Sequence, residues 1–330
     1  MDTASLNTMN EAVATHNRIY VAGHRGMVGS ALVRRLRAKG YANLVVRARA
    51  ELDLTEQAAV GEFMQQTRPD YVFLAAARVG GILANSRLRA DFLYENLVIE
   101  ANVIHAAWRA GVRRLMFLGS SCIYPRDCPQ PILEEYLLTG PFEHTNEPYS
   151  IAKVAGLKMC EAYNAQHGTR YVAVMPANLY GPGDNFDLET SHVLPALLRK
   201  AHVAKRDGRH RLTLWGSGRP RREFLHVDDL AEACVLLMEK GVGEGVYNIG
   251  SGTDVTIRQL AETVASSVGL DARLEFDQTK PDGTPRKLLD AGRMRALGWE
   301  PRYSLEAGIG HTYRWCLANS VFEHAEAEHA

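Results

Sequence analysis

One short segment near the start of the chain constrains the fold more than any other. Residues 18–22 form a β-rich apolar run, Gly23, Gly26 and Gly29 follow, and residues 30–39 have the apolar spacing of a helix. A strand, a glycine turn and a helix in this order are typical of the first unit of a parallel α/β sheet. In such a unit the turn brings backbone N–H groups to a pyrophosphate at the start of the helix. The segment therefore predicts a dinucleotide-binding sheet.

Further apolar runs extend this sheet along the chain. Residues 71–74 and 115–118 read as buried parallel strands, and residues 88–110 have helical spacing. A chain of 330 residues is expected to form one large α/β domain and a smaller lobe. We predict an α/β chain with a Rossmann-type doubly wound parallel sheet and a smaller C-terminal substrate-binding α/β lobe.

Arginines cluster where the adenosine ribose of a dinucleotide would lie. In this fold a carboxylate at the end of the second strand accepts the ribose hydroxyls of NAD. Here the predicted strand 44–47 ends in Arg47, Arg49 follows, and Arg25 lies in the glycine loop. Guanidinium groups suit a 2′-phosphate, so we expect NADPH/NADP+. The alternative is that Arg47 or Arg49 only caps the sheet edge, and Asp53 either caps the next helix or faces the adenine.

The domain boundaries follow from these elements. We predict a loose N-terminal extension at 1–17, an NADP-binding Rossmann domain at 18–178 and a frayed tail at 323–330. Residues 179–322 are predicted to form mainly the substrate-binding lobe, with the chain returning to the Rossmann domain. The segment 176–182 is expected to be a loop, and Asp228 or Asp229 is expected to cap a helix.

A hydroxyl residue and a Tyr-x-x-x-Lys pair lie in the middle of the chain. Ser120 follows the strand at 115–118, and Tyr149 and Lys153 lie four apart on one face of the helix that Pro148 is expected to open. An ammonium near a phenol lowers the pKa of the phenol and makes it a better proton donor. Such a pair alone is more often solvated. With Ser120 and the glycine loop, it predicts a Ser, Tyr, Lys proton-transfer set beside a nicotinamide.

Charge and cysteine content exclude several classes of protein. Lys plus Arg equals Asp plus Glu at 38 each, which argues against nucleic acid or a membrane surface as the main partner. The basic stretch 199–222 reads mostly as a solvated face, because no nucleic-acid motif accompanies it. Five cysteines without a C-x-x-C pair argue against a disulfide framework and a thiolate zinc site. We expect no metal, no signal peptide, no membrane span and a cytoplasmic location.

Together these motifs resemble the extended short-chain dehydrogenase/reductases that act on nucleotide sugars. The resemblance covers residues 18–322 and rests on the segments 23–29, 119–125, 146–149, 178–182, 191–192 and 280–290. Within this family the chain is similar to enzymes that epimerise GDP-4-keto-6-deoxy-D-mannose at C3 and C5 and then reduce C4. The resemblance implies that sugar as substrate and NADPH as cofactor. It also implies a homodimer, since family members pair through two helices of each subunit.

The resemblance assigns roles to individual residues. Cys122 is the implied base and His192 the implied acid of epimerisation. Tyr149 is the implied proton donor for reduction, Lys153 lowers the pKa of Tyr149 and holds the nicotinamide ribose, and Ser120 hydrogen-bonds the ketone oxygen. The implied cofactor-binding residues are Gly23, Arg25, Gly26, Val28, Gly29, Arg49, Asp53, Leu54, Lys153, Asn178, Leu179 and His192. The implied substrate-binding residues are Lys200, Trp215, Arg222 and Asp282.

Three rival functions remain open at this point. A 4,6-dehydratase of the same family would carry an acidic pair where this chain has Ser121 and Cys122. A 4-epimerase that keeps its NAD bound is disfavoured by the arginines at the ribose end. A non-catalytic NADPH-binding regulator is expected to have lost part of the catalytic set, and none of that set is missing from the sequence.

Overall fold

The computed structural model describes residues 13–280 and 282–323, and its strands and helices follow the apolar runs of the sequence. In chain order the strands are β1 (Ile19–Ala22), β2 (Leu44–Val45), β3 (Tyr71–Leu74), β4 (Arg114–Leu118), β5 (Arg170–Pro176), β6 (Asn178–Tyr180), β7 (Arg211–Trp215), β8 (Arg221–His226), β9 (Val246–Ile249), β10 (Asp254–Thr256), β11 (Arg273–Asp277) and β12 (Arg286–Lys287). The helices are α1 (Met27–Ala38), α2 (Gln57–Thr67), α3 (Ile82–Arg87), α4 (Arg89–Arg109), α5 (Glu147–His167), α6 (Val193–Arg206), α7 (Val227–Glu239), α8 (Ile257–Val268), α9 (Gly292–Ala296) and α10 (Leu305–Ala318).

A parallel six-stranded sheet in the order β2-β1-β3-β4-β5-β9 forms the centre of the first domain. Every residue of β1 and β3 is buried, as expected for strands covered on both faces. Ile19 of β1 lies opposite Leu44 on one side and Tyr71 on the other, so the strand order reverses at β1. Ligands of open α/β sheets bind at the carboxyl ends of the strands beside such a reversal. The predicted Rossmann-type sheet is confirmed.

The smaller lobe is built around β8. This strand pairs in parallel with β6 and β12 and antiparallel with β10, while β7 and β11 form a separate parallel pair. Helices α6, α8 and α10 contribute Leu198, Leu260 and Ile309 to a second apolar core. The lobe therefore has its own buried centre beside the large sheet.

The chain returns to the first domain through α7 and β9. Helix α7 is tied to α1 by ion pairs between Arg35 and Glu232 and between Lys39 and Glu239, the latter at 2.7 Å. Strand β9 lies beside β5 and completes the sheet on that side. The first domain thus includes residues from both halves of the sequence.

Two predicted elements have different bounds in the structure. The segment 176–182 is not all loop, because Asn178–Tyr180 forms the strand β6, which pairs in parallel with residues 224–226 of β8. The second strand ends at Val45, and Arg47 lies instead with its guanidinium carbon 5.4 Å from the ring centre of Phe63. Arg47 thus packs against the helix α2, which neither reading of its role predicted.

The residue that caps α7 is His226, not Asp228 or Asp229. Its Nδ1 accepts the backbone N–H of Asp228 at 3.2 Å. The carboxylate of Asp229 accepts the backbone N–H groups of Arg302 and Tyr303 at 3.0 and 3.1 Å. The prediction was wrong because three polar residues, His226, Asp228 and Asp229, lie near this helix start, and Asp229 binds backbone N–H groups of a later segment.

The two ends of the chain are described in part. Val13 of the predicted extension is buried, and its carbonyl accepts a hydrogen bond from the hydroxyl of Tyr41 at 3.1 Å, so the extension packs on the domain at this residue. Residues 1–12 of the extension and 324–330 of the tail lie outside the described residues. Within the part of the chain that the structure describes, no helix is both long and apolar enough to cross a membrane.

Candidate active site

The glycine loop lies where β1 ends, against the segment that follows β3. Gly23 has a φ of 80°, and a Cβ there would fall 2.8 Å from the backbone of Ala76. A Cβ on Gly29 would overlap the carbonyl oxygen of Gly23. Gly26 stands just before α1, and a Cβ there would have its nearest protein atom 3.5 Å away. The loop is therefore tightly packed at two glycines and open at the third, where the helix N-terminus suits a phosphate.

Arg25 and Arg49 are exposed at the two places where the sequence predicts contacts with the 2′-phosphate. The Arg49 side chain is 72% accessible, and its Nε lies 3.2 Å from Asp53. Asp53 accepts the N–H and the hydroxyl of Thr55 at 3.0 and 2.8 Å, and these bonds hold its pKa below the usual range. Since α2 begins only at Gln57, Asp53 closes a turn and does not cap the helix.

The other predicted cofactor residues have structural partners of their own. Val28 is half-buried in α1, and Leu54 is buried with its carbonyl accepting the amide of Asn102 at 3.0 Å. Asn178 donates its side-chain amide to the carbonyl of Glu223 at 2.8 Å, which joins β6 to β8, and Leu179 is half-buried beside it. These residues shape the edge of the sheet.

Ser120 and Tyr149 meet at the carboxyl end of β4. Ser120 caps the short turn 121–123, and its Oγ accepts the backbone N–H of Cys122 at 3.2 Å. Burial raises the pKa of Tyr149, the negative charges of Cys122 and Glu100 raise it further, and a hydrogen bond with Ser120 opposes them. The phenol is therefore held in its protonated form at neutral pH.

Lys153 pairs with a residue that the sequence reasoning missed. Its ammonium donates to the carbonyl of Leu118 at 3.0 Å and lies 3.1 Å from Oε1 of Glu100, with the two side chains only 2% and 1% exposed. The ring centre of Tyr149 is 5.9 Å from the same nitrogen. The expected lowering of the Tyr149 pKa is not seen, because burial dominates and the negative charges of Cys122 and Glu100 raise the pKa further.

Cys122 has two cations nearby. The thiol is half-buried, and the ammonium of Lys287 lies 3.8 Å from its sulfur. Burial lowers the pKa of Arg222, and negative charge on Cys122 opposes this shift, which indicates that the two groups interact. The hydroxyl of Ser150 donates to the Cys122 carbonyl at 2.8 Å and fixes the turn to the start of α5. The thiol therefore lies in a cationic, partly exposed setting, which is typical of reactive cysteines.

His192 stands immediately before α6 and is solvent-exposed. The surrounding protein nevertheless lowers the pKa of its imidazole. The loop that carries it is tied to the segment after β3, since the N–H of Gly81 donates to the carbonyl of Thr190 at 2.8 Å. The imidazole is exposed and is available to a ligand in this cleft.

The residues predicted to hold the substrate lie on the smaller lobe. They are Lys200, Trp215, Arg222 and Asp282. The ring of Trp215 is 52% exposed, with the ammonium of Lys200 5.9 Å and that of Lys280 5.4 Å from its centre. Asp282 accepts the N–H and hydroxyl of Ser217 at 2.6 and 2.8 Å; these bonds lower its pKa, and the charge of Arg222 adds to the effect. The structure places Lys200 beside the exposed ring of Trp215 and brings Arg222 within electrostatic reach of Asp282.

A separate group of His226, Asp228 and His311 has metal-ligand spacing. Each member already has a protein partner: Nδ1 of His311 lies 3.2 Å from Nε2 of His226, and Asp228 pairs with Arg34 at 2.7 Å. Tyr303 stacks on His226 with the ring centres 4.1 Å apart. Hydrogen bonds and stacking account for the cluster, and we assign no ion to it.

Sequence reasoning missed Glu100 and Lys287. For Glu100 a signal was present, because Asn96 and Ile104 lie four residues to either side and all three are on the buried face of α4. A charge at such a position needs a buried partner. For Lys287 no local signal exists, since Cys122 is 165 residues away.

Comparison with known proteins identifies the family. Residues 19–250 match the family described as NAD dependent epimerase/dehydratase family. GDP-L-fucose synthase 1 of Arabidopsis thaliana is 57% identical over 302 residues, covering 92% of this chain and 94% of its own. GDP-L-fucose synthase of Escherichia coli (strain K12) is 53% identical over 313 residues, covering 92% and 97%. A solved GDP-L-fucose synthetase from Naegleria fowleri bound to NADP has a TM-score of 0.87 at 26% identity, covering 95% and 98%.

The chain therefore belongs to the NAD dependent epimerase/dehydratase family, within the extended short-chain dehydrogenase/reductases. The two curated relatives named above, which align along nearly their whole length, are GDP-L-fucose synthases. The resemblance predicted from the motifs is confirmed.

Proposed function

We propose that the chain converts GDP-4-keto-6-deoxy-D-mannose to GDP-L-fucose by 3,5-epimerisation followed by NADPH-dependent reduction of the 4-ketone. The observation that carries this proposal is the pairing of Cys122 with Lys287 within one turn of Ser120, which itself meets Tyr149. A plain ketoreductase needs a hydroxyl set and no thiolate. The 57% identity to a GDP-L-fucose synthase supports the same conclusion.

NADPH fits the first domain, and when bound it supplies the hydride. The open face at Gly26 and the N-terminus of α1 would take the pyrophosphate, and Arg25 and Arg49 would take the 2′-phosphate. Lys153 would hold the nicotinamide ribose. The rest of the cofactor-binding site would be lined by Gly23, Val28, Gly29, Asp53, Leu54, Asn178, Leu179 and His192.

Epimerisation needs a base and an acid on opposite faces of the sugar. Cys122, as thiolate, would take the proton next to the ketone at C3 and at C5. The hydroxyls of Ser120 and Tyr149 would donate to the ketone oxygen and stabilise the enolate. His192 would then return a proton to the other face, and both groups would exchange with solvent between the two steps.

Reduction would use the same oxygen contacts. Hydride addition at C4 leaves an alkoxide, and Tyr149 would give it a proton. The raised pKa of Tyr149 supports this role, because the phenol stays protonated until the stronger base forms beside it. The GDP part of the substrate would be held by Lys200, Trp215, Arg222 and Asp282. A base or sugar would lie on the exposed indole ring, and the phosphates would lie beside the cations.

A homodimer belongs to the same proposal. Helices α4 and α5 pack on each other and leave Tyr94 and Ile151 exposed at 67% and 43%. Two such helices from each subunit would bury this face in a four-helix interface, as the family resemblance implies. The cytoplasmic location remains a prediction of the sequence.

The test is incubation with GDP-4-keto-6-deoxy-D-mannose in heavy water, with and without NADPH, followed by identification of the sugar. We expect deuterium at C3 and C5 without NADPH, and GDP-L-fucose with it. Cys122→Ser should suppress exchange, and Tyr149→Phe should suppress hydride transfer. Cys128→Ser and Tyr163→Phe are controls of the same residue types, and Tyr163 lies on the same helix as Tyr149.

Other outcomes of this experiment would indicate the rival functions. NADPH oxidation without exchange would indicate a simple 4-reductase and would remove the roles of Cys122 and His192. Loss of water from the sugar would indicate a dehydratase. NADPH binding without turnover would indicate the non-catalytic regulator.

A further inference from the structure

The pair between Glu100 and Lys153 is unusual in its burial. Both side chains lie in the apolar interior, where Lys153 also sits 4.9 Å from the ring centre of Phe117. Replacing a buried ion pair by apolar residues of similar size is often neutral or stabilising, so stability alone does not explain such a pair. Removing one partner, by contrast, leaves an uncompensated buried charge.

The surrounding helix is shaped to accept the carboxylate. Gly156 lies on α5, three residues after Lys153, and glycine in a helix interior costs about 1 kcal/mol relative to alanine. A Cβ at this position would fall 2.5 Å from Oε2 of Glu100 and 2.6 Å from Phe117. The glycine thus makes room for both neighbours of the Lys153 ammonium.

The pair also fixes the direction of the ammonium. Lys153 has three N–H donors; one donates to the carbonyl of Leu118 at 3.0 Å, and Glu100 at 3.1 Å attracts a second. Two anchors on different elements, β4 and α4, leave one donor for a ligand. A flexible lysine would otherwise have to lose considerable rotamer entropy on binding.

We propose that Glu100 is a positioning residue: by its ion pair in the space opened by Gly156, it fixes the Lys153 ammonium for contact with the nicotinamide ribose and for support of proton transfer by Tyr149. This inference rests on the proposed function for the roles of Lys153 and Tyr149. It adds Glu100 of α4 to the residues that support cofactor binding. It also explains why a glycine stands at position 156 inside a helix.

The first test is NADPH affinity, measured by fluorescence titration of the purified chain. Glu100→Leu should weaken NADPH binding about tenfold or more, because the misplaced ammonium no longer meets the ribose. Glu100→Gln keeps an acceptor at the same place and should recover part of the affinity. Glu161→Gln and Asn164→Ala, both on α5, are controls for the loss of a charge and of a structural side chain, and both should bind NADPH as the unmodified chain does.

The second test is a double substitution. Gly156→Ala should weaken NADPH binding because the methyl group displaces Glu100. In a Glu100→Ala background that methyl no longer meets the carboxylate and still meets Phe117, so adding Gly156→Ala should weaken NADPH binding less than it does in the unmodified chain. If the two effects add fully, or if Glu100→Leu binds NADPH like the unmodified chain, the proposal is overturned.

Turnover separates this inference from the proposed function. With the 4-keto sugar, Glu100→Leu should lower kcat for reduction about tenfold while keeping most of the NADPH-independent deuterium exchange. Equal loss of exchange and reduction would mean a structural role only, and would overturn the proposal. If the unmodified chain does not reduce this sugar but its NADPH affinity still depends on Glu100, the proposed function fails and the positioning role stands.

Discussion

The ammonium nitrogen of Lys287 lies 3.8 Å from the sulfur of Cys122, across 165 residues of sequence. The contact joins the end of β4 to β12 in the smaller lobe, so the thiol lies where the two parts of the chain meet. A reactive cysteine is expected in such a cationic, partly exposed setting, whereas Cys160 and Cys234 are buried and their thiols have raised pKa values.

We expect Lys287→Met to slow alkylation of Cys122 by iodoacetamide at neutral pH, by about tenfold or less, because the thiolate loses a neighbouring cation. Lys287→Arg keeps the charge and should retain most of the rate. Mass spectrometry of the peptide that contains Cys122 gives the rate for this thiol alone. Equal rates in Lys287→Met and the unmodified chain would contradict the role of Lys287.

Two glycines of the same loop are expected to respond differently to alanine. Gly29→Ala forces the new methyl group into the carbonyl of Gly23, so it should lower the Tm and NADPH affinity together. Gly26→Ala has space within the protein and should keep the Tm, yet weaken NADPH binding where backbone and phosphate approach closely. Thermal unfolding and NADPH titration of both variants test this difference, and a normal NADPH affinity in Gly26→Ala would argue against the proposed phosphate site.

Arg49 is expected to decide between the two nicotinamide cofactors. Arg49→Ala should weaken NADPH binding about tenfold, and leave NADH binding unchanged, because an exposed guanidinium near a phosphate acts through charge and hydrogen bonds. Arg37→Ala, at the far end of α1, controls for the loss of a positive charge. A parallel loss of both cofactors would mean that Arg49 does not contact the 2′-phosphate.

Glu223 should make stability depend on pH. Burial raises its pKa from 4.5 to about 7, so in that interval the folded chain keeps a proton that the unfolded chain has released. The free energy of unfolding should therefore fall as the pH rises from about 4.5 to about 7, by up to about 3 kcal/mol. Denaturant unfolding across this range should show a shallower decline in Glu223→Gln.

The comparison with the variant is needed because other groups titrate in the same interval. Asp184 also has a pKa raised by burial to about 7, while the pKa of His226 is lowered to about 4 by burial and gives the opposite slope. Only the difference between the two curves reports Glu223. Identical slopes would mean that its carboxyl is ionised throughout.

The sequence was most informative where a local rule governs the structure. Continuous apolar runs predicted β3 and β4, because strands covered on both faces have no polar side to show. Strand, glycine turn and helix predicted the loop at Gly23, because the positive φ of this residue and its close approach to the backbone of Ala76 both favour glycine. The position of the Ser, Tyr, Lys set at the end of β4 followed from the same reasoning.

The sequence was least informative where a side chain chooses among distant partners. Lys153 is four residues from Tyr149, and spacing alone paired them; in the structure Glu100, 53 residues earlier on another helix, takes the ammonium. The helix cap at His226 has the same cause, since Asp229 is drawn to the N–H groups of a segment more than 70 residues later. Which partner a side chain binds depends on how the helices pack against each other, and the residue pattern of a single segment does not contain this information.

The place of β9 has a consequence for how the chain is made. The large sheet lacks this strand until residue 249 has been synthesised, and the smaller lobe's strands β6, β7 and β8 are made before it. A nascent chain that stops near residue 178 therefore presents β5 as an unpaired edge, with backbone groups open to other chains. The cofactor-binding sheet is therefore complete only after several strands of the other lobe have been synthesised.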